Sequence, residues 1–433
     1  MRLPFIVAAF FLFTPAAGAQ VSIGTTITVT TVQAAQLLIV NGKYDDAKIL
    51  LTRELQRNPD DSEALFLLAA IATAQKDYDG AISIYRRILA REPNAERVRL
   101  ELARVFFLEG DYDNAERQFR FARAGDIPDT VKANIDQFLS AIYRLREWRY
   151  NFSFALAPDT NQNAGPSASQ VTLFGLPFTL APNARKQSGV GLAGDVNGEW
   201  SPLITDMIKA RVGGDLTRLE YSGGQFDDMT LSGYAGPQFL FQDWDISVLG
   251  TGFERWYGNR PYLIGAGGKL AAEVGIASDL LIGASFGAQT VHDHPIPQQS
   301  GVLYSVQVQP TYVLTPSSLV MLQGGFNRQG AEIAPYAYSG FWAGVGYQQD
   351  LPFGFSAGMQ PSFYSNHYDA ALAAFGITRH DSVLMLAFNL LNRRLDYHGF
   401  TPRFSYVFTD QHSNIPVFSY NRSQFQIGLT SLF

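Results

Sequence analysis

The chain has 433 residues, 46% of them hydrophobic and 13% aromatic, with 33 Lys plus Arg against 39 Asp plus Glu and a formal net charge of −6. That length allows more than one domain, and the charge balance, without a dense basic run, argues against a nucleic-acid partner. The absence of cysteine excludes disulfides, thiol nucleophiles, cysteine zinc sites and a lipid-bearing N-terminal cysteine.

Residues 1–19 carry the pattern of an export signal: Arg2 as a positive start, Leu3 to Phe13 as a short apolar core, and Ala17-Gly18-Ala19 as a small-x-small cleavage site. The apolar stretch is shorter than the roughly 20 residues a spanning helix needs. No later segment reads as such a helix, so a membrane-embedded form of this chain has to cross with strands.

Residues 20–148 are expected to form a periplasmic repeat domain. Tyr44-Asp45-Asp46-Ala47, Tyr78-Asp79-Gly80-Ala81 and Tyr112-Asp113-Asn114-Ala115 recur at intervals of 34 residues, as do Pro59 and Pro93, which is the tetratricopeptide period. Leu65, Leu68, Ala69, Ala81, Tyr85 and Pro93 fill the packing positions of the second unit, and Leu102, Ala103, Phe106, Ala115, Phe119 and Ala122 those of the third. The first unit is degenerate at Thr31, Ala34 and Ala35, and residues from about Thr130 to Trp148 read as a closing amphipathic helix. A solenoid of this kind presents a concave groove to polypeptides; the candidate client-binding residues are Phe66, Thr73, Arg97, Arg104 and Phe107.

From Arg149 the apolar period changes to two. Tyr150, Phe152, Phe154 and Leu156 alternate with Asn151, Ser153 and Ala155, and the same holds for Val302–Tyr312 and Phe400–Phe408. Strands are expected to begin near residues 149, 189, 207, 228, 244, 261, 279, 302, 317, 338, 352, 380, 398 and 422, so residues 149–433 read as an antiparallel transmembrane β-barrel of about 14 strands. A soluble propeller or sandwich is the alternative, and it does not predict the apparent alternation of short and long links. The short links, at Gln242-Asp243, Ser278-Asp279, Thr315-Pro316-Ser317 and Asp350-Leu351-Pro352, are expected in the periplasm. The long ones, Pro158 to Ser188, His292 to Ser300, Asn366 to Arg379 and Asp410 to Asn421, are expected outside the cell. Charges on the polar strand faces, Asp195, Glu199, Lys209, Arg211, Asp215 and Arg403, are expected to line the lumen. The chain closes on an apolar strand with Gly428 and a final Phe433, a candidate signal for barrel-assembly machinery, although Ser431 stands where such signals often carry an aromatic residue.

Little points to catalysis or a cofactor. His292-Asp293-His294 could chelate a metal, but it sits in an expected loop with no third ligand indicated. No phosphate-binding loop or paired-histidine metalloprotease motif is present. Neither an enzyme nor a cofactor is expected.

The stretch Phe152-Ser153-Phe154-Ala155-Leu156-Ala157-Pro158-Asp159-Thr160-Asn161-Gln162-Asn163 resembles the opening of the barrel in surface lipoprotein assembly modifiers, which join tetratricopeptide repeats to a fourteen-stranded barrel. The resemblance implies an outer-membrane translocon that delivers client lipoproteins, or secreted haemophore-like proteins, to the cell surface. Its expected partners are that client, periplasmic chaperones, the barrel-assembly machinery and outer-membrane lipid. The rival reading is an exopolysaccharide-export porin with a periplasmic repeat dock. Within the motif, Asp159, Asn161 and Asn163 also suit a polar turn held by their own side chains.

Overall fold

The computed structural model describes residues 30–241, 244–277, 279–397 and 399–431. The export-signal expectation and Phe433 lie outside them.

Seven helices come first: α1 (Thr31–Val40), α2 (Tyr44–Arg57), α3 (Ser62–Ala74), α4 (Tyr78–Leu89), α5 (Glu96–Glu109), α6 (Tyr112–Arg123) and α7 (Asp129–Leu145). Aspartates start three of them. Asp61 accepts from the Glu63 and Ala64 amides, Asp77 from Gly80 and Asp111 from Asn114, which satisfies amide donors that a helix start leaves open. At α2 the corresponding residue is Lys43, which makes no side-chain cap, a further departure of the first unit from the other two. Gly110 ends α5 in the left-handed region, at φ 92°, where a Cβ would be strained. The repeat alanines Ala69, Ala81, Ala103, Ala115 and Ala122 are fully buried beside Tyr85, Leu102, Phe106 and Phe119. Small residues at these points let successive helices approach, and each buried large apolar side chain contributes about 1.5–3 kcal/mol.

Fourteen long strands follow: β1 (Trp148–Asp159), β2 (Gly189–Trp200), β3 (Ile208–Tyr221), β4 (Asp228–Leu240), β5 (Trp244–Tyr257), β6 (Arg260–Ala277), β7 (Leu280–Asp293), β8 (Gly301–Thr315), β9 (Ser318–Gln329), β10 (Tyr338–Asp350), β11 (Phe355–Leu372), β12 (Ile377–Asn392), β13 (Thr401–Ser413) and β14 (Tyr420–Thr430). Each pairs antiparallel with its sequence neighbours, and β1 pairs with both β2 and β14, closing the barrel. The β1–β2 ladder is continuous from Trp148↔Trp200 to Asp159↔Gly189, whereas β1 meets β14 at Ser153↔Thr430 through Leu156↔Ile427 and again at Asp159↔Gln424. Closure leaves no sheet edge in the bilayer, which is what permits strands to cross it. Along β1 from Tyr150 onward the exposed residues are apolar (Tyr150, Phe152, Phe154, Leu156), and Asn151 and Asp159, of the opposite parity, are buried.

The expected short links fall between strands as read, and so do the long loops at 158–188 and 292–300, but the other links differ from the sequence expectation. At the barrel end away from the helices, β5 and β6 are joined by only Gly258-Asn259, both at positive φ (58° and 60°), a two-residue hairpin turn of the kind that follows strand twist. The expected loop Asn366 to Arg379 is mostly strand: β11 continues to Leu372, β12 starts at Ile377, and His367 pairs with His380. At Asp410–Asn421 half of the expected loop is strand, because β13 runs to Ser413 and β14 starts at Tyr420. A bilayer-crossing strand needs only about 9–11 residues. Strands of 18 residues, as β6 and β11 are, extend beyond the apolar band, so the alternation signal stops before the ladder does.

Candidate functional site

The helices sit at the barrel end formed by the even-numbered links, and the junction is built from buried ion pairs. On α5, Arg97 and Arg99 lie about 200° apart around the helix axis, so they face opposite ways. Arg97 is exposed over the Phe66 ring at 4.5 Å, whereas Arg99 is 2% exposed. Arg99 donates to Asp350 Oδ2 at 3.0 Å, to Gln118 Oε1 at 2.7 Å and to the Pro93 carbonyl. Asp350, the last residue of β10, also receives Arg117 of α6 at 3.2 Å and Arg393 of the β12–β13 link at 2.9 Å. Burial lowers the Arg99 and Arg117 pKa values, without approaching neutral pH chemistry for a guanidinium. Ser317 donates to Asn94, and the Phe353 amide donates to the Ala90 carbonyl.

A second junction holds the end of α7. Lys209 donates to the Tyr143 and Arg146 carbonyls at 2.9 and 2.7 Å, placing a cation on the open carbonyls of a helix C-terminus. The Tyr143 hydroxyl donates to Asp245, and Gln238 donates to both at 2.9 and 3.0 Å. Burial, then Asp245, pushes the Tyr143 pKa well above its ordinary value. Arg146 donates to Asp113 at 2.8 Å and Glu116 at 2.6 Å. Burial alone would raise the Glu116 carboxyl, but Arg120 and Arg146 hold it down at about 2. For Asp113 burial outweighs the attraction of Arg146 and Arg149, and its pKa is raised.

Below α7 a cavity of about 260 Å3 opens between the helices and the barrel wall, lined by Tyr143, Arg149, Arg211, Lys269, Glu273 and Gln307 among others. Its wall mixes both charge signs with Gly283, Ser285 and Gln309.

The residues singled out from sequence fall into separate groups. Phe66 packs edge-on to Tyr85 at 5.7 Å beneath Arg97. Phe107 packs edge-on to Tyr112 and Phe138, and Arg104 pairs with Glu101. Thr73 does not share their surface: it is 7% exposed, and its hydroxyl donates to the Ala69 carbonyl. In the barrel, Glu199 accepts from Arg211 and Tyr234, Asp195 from Asn151 at 3.3 Å, and Arg403 donates to Gln426. Asp215 stands in register with Asn197, which is itself opposite Asn151. Lys209 is occupied by α7. Gly428 lies where an added Cβ would stand 1.9 Å from the Phe154 carbonyl oxygen, so the β1–β14 approach requires glycine there. His292 contacts Ser300 at 3.2 Å and packs edge-on to His294.

Asp159-x-Asn161-x-Asn163 organises the first long loop. Asp159 Oδ1 accepts from the Asn161 amide, and its Oδ2 from Tyr221 and Arg422. Fully buried Asn161 bonds both ways with the Gly165 backbone and donates to the Asn421 carbonyl. Asn163 bridges to the Arg185 carbonyl and the Gln187 amide. Beyond them, a small hairpin (Gln170–Leu173 with Leu176–Thr179) reaches sideways, and its Phe174 amide donates to the Ala374 carbonyl in the β11–β12 turn.

Comparisons with known proteins give two family matches: surface lipoprotein assembly modifier over residues 148–433, and the N-terminal TPR repeats of surface lipoprotein assembly modifier over residues 49–119. No curated protein matches at a significant level. Similar solved structures include the Yersinia enterocolitica type III secretion translocator chaperone SycD, 22% identical over 26% of this chain and 81% of that one, with a TM-score of 0.25. PcrH from Pseudomonas aeruginosa is 23% identical over 26% of this chain and 89% of that one, also at 0.25. OmpT, an outer membrane protein of Vibrio cholerae, is 7% identical over 65% and 96%, at 0.39.

Proposed function

The chain belongs to the surface lipoprotein assembly modifier family, and from that premise we propose that it is an outer-membrane translocon delivering client lipoproteins to the cell surface. The single observation that carries this reading is the junction itself. One side of the helical stack is fixed to the mouth of an outer-membrane-type barrel by Arg99, Arg117 and Lys209, while the surface bearing Phe66, Arg97 and Arg104 is left open.

In this reading the helices and the even-numbered links are periplasmic and the Asp159–Asn163 loop is extracellular. An extended client segment lies on Phe66, Arg97, Arg104 and Phe107, where flat aromatic rings and guanidinium groups suit apolar and acidic side chains. Phe107 touches Phe138 of α7, the helix whose Tyr143 lines the polar cavity, so a client held there is brought toward that cavity at a raised effective concentration for entry. Asp195, Glu199, Arg211, Asp215 and Arg403 give the interior a mixed-charge lining that wets the path without trapping one charge sign. Chaperones deliver the client, its folding outside supplies the driving force, and the barrel-assembly machinery inserts the barrel through its last strand.

A photoreactive amino acid at Arg97 or Arg104, in cells making a surface lipoprotein, is expected to crosslink to that lipoprotein. The same probe at Asp46 on α2 is expected not to. Equal crosslinking from all three positions contradicts groove capture.

A further inference from the structure

A small cavity of about 40 Å3 lies between the helices and the barrel rim, apart from the client path. At roughly 10–15 Å3 per enclosed water, it has room for one phosphate-sized group. Arg86 of α4, Arg99 of α5, and Arg393 and Arg394 of the β12–β13 link line it, against a single carboxylate, Asp350. Arg86 lies 3.7 Å from Asp396. That leaves Arg99, Arg117 and Arg393 sharing Asp350, an excess of positive charge in a site where side-chain exposure is 2–15%. Guanidinium groups cannot shed their protons to relieve this. Two of their donors, Arg393 Nε and Arg117 Nη1, are buried without a hydrogen-bond partner among the described residues, as is Asp396 Oδ2 beside Arg86; of the two donors, that of Arg393 belongs to the cavity lining.

The surroundings identify the kind of anion such a site suits. The remaining wall includes Leu351 and Phe355, and Phe355 begins the exposed row that continues through Met359 and Phe363 on β11. Next to the cavity, Phe353, Leu395 and Tyr397 are 68%, 59% and 75% exposed. Aromatic and apolar side chains projecting from the rim of a barrel mark the headgroup level of a bilayer. A basic pocket at that level, walled on one side by acyl-facing residues, matches the recognition of an anionic lipid.

We infer that this cavity binds the headgroup phosphate of an anionic phospholipid, which completes the charge balance between the helical domain and the barrel. The inference rests on the barrel lying in a bilayer, whatever client it serves.

The test is native mass spectrometry of the full chain released from micelles containing equal phosphatidylglycerol and phosphatidylcholine. The wild type is expected to retain one phosphatidylglycerol in preference. Arg86→Gln with Arg394→Gln is expected to weaken that preference by roughly fivefold per guanidinium removed, and Arg260→Gln, at the opposite end of the barrel, to leave it unchanged. Heat-modifiable gel mobility reports whether each variant keeps its barrel. Equal retention of the two lipids by the wild type overturns the inference without any variant. An unchanged preference in the folded double variant overturns it too, and displacement of phosphatidylglycerol by millimolar inorganic phosphate reassigns the site to free phosphate.

Discussion

Asp350 is the residue on which the two parts of the molecule converge, because three guanidiniums need it at once. Replacing it by Asn keeps the shape and removes the charge. Breaking a buried pair in this way costs about 3–5 kcal/mol, since the cations stay behind uncompensated. Asp350→Asn is therefore expected to loosen α4–α6 from the rim, seen as faster hydrogen exchange in those helices with barrel amides unaffected. Uniform exchange in mutant and wild type would show that the cluster does not hold the dock. Glu116 gives a pH prediction. Its folded pKa of about 2 lies below the ordinary 4.5, so its stabilising contribution is fully present above about 4.5 and is lost as pH falls through 2. Helical ellipticity is expected to fall in that window, and Glu116→Gln to flatten that part of the acid limb. The Asp350 cluster was not legible in sequence: Arg99 and Asp350 are 251 positions apart, and no local period joins them. The available hint was an arginine on the face of α5 opposite Arg97.

At the scale of elements, local periodicity explains what could be read. The 34-residue repeat and the two-residue alternation each act through neighbouring residues, so helices and strands were legible to within a few positions. The lengths of the loops expected at 366–379 and 410–421 were not, because the ladders of β11 to β13 outlast the lipid band that imposes the apolar pattern, and hydrogen bonds leave no comparable mark on composition. The Asp159–Asn163 motif was legible as a polar turn, but its partners Tyr221, Asn421 and Arg422 come from other strands. Asn161→Ala removes bonds worth about 1 kcal/mol each and is expected to make the 160–188 loop sensitive to external protease while the barrel keeps its heat-modifiable mobility. Full protease resistance would mean that the loop is held elsewhere. Gly428→Val places atoms against the Phe154 carbonyl, and the expected outcome is a lower yield of folded barrel, measured as the fraction resistant to SDS at room temperature.

At the scale of the whole molecule, the arrangement couples a polypeptide-sized surface to a polar barrel interior through a junction that commits Arg99, Arg117, Lys209 and Tyr143 to holding the two together. On the proposed function, the open side of the stack is then the part free to vary with the client. Charge reversal there, Arg97→Glu with Arg104→Glu, is expected to reduce client delivery severalfold while the barrel assembles normally. The architecture was legible in the sequence. The relation of the two parts was not, since it depends on which helical face docks, and that is decided by contacts between distant segments. The most direct measurement of the central claim is protease shaving of intact cells that make a candidate surface lipoprotein, with and without this protein. Loss of the protease-accessible lipoprotein only in its absence, at unchanged total lipoprotein, is the predicted result; unchanged accessibility, with a fall in extracellular polysaccharide instead, would contradict the translocon account in favour of glycan export.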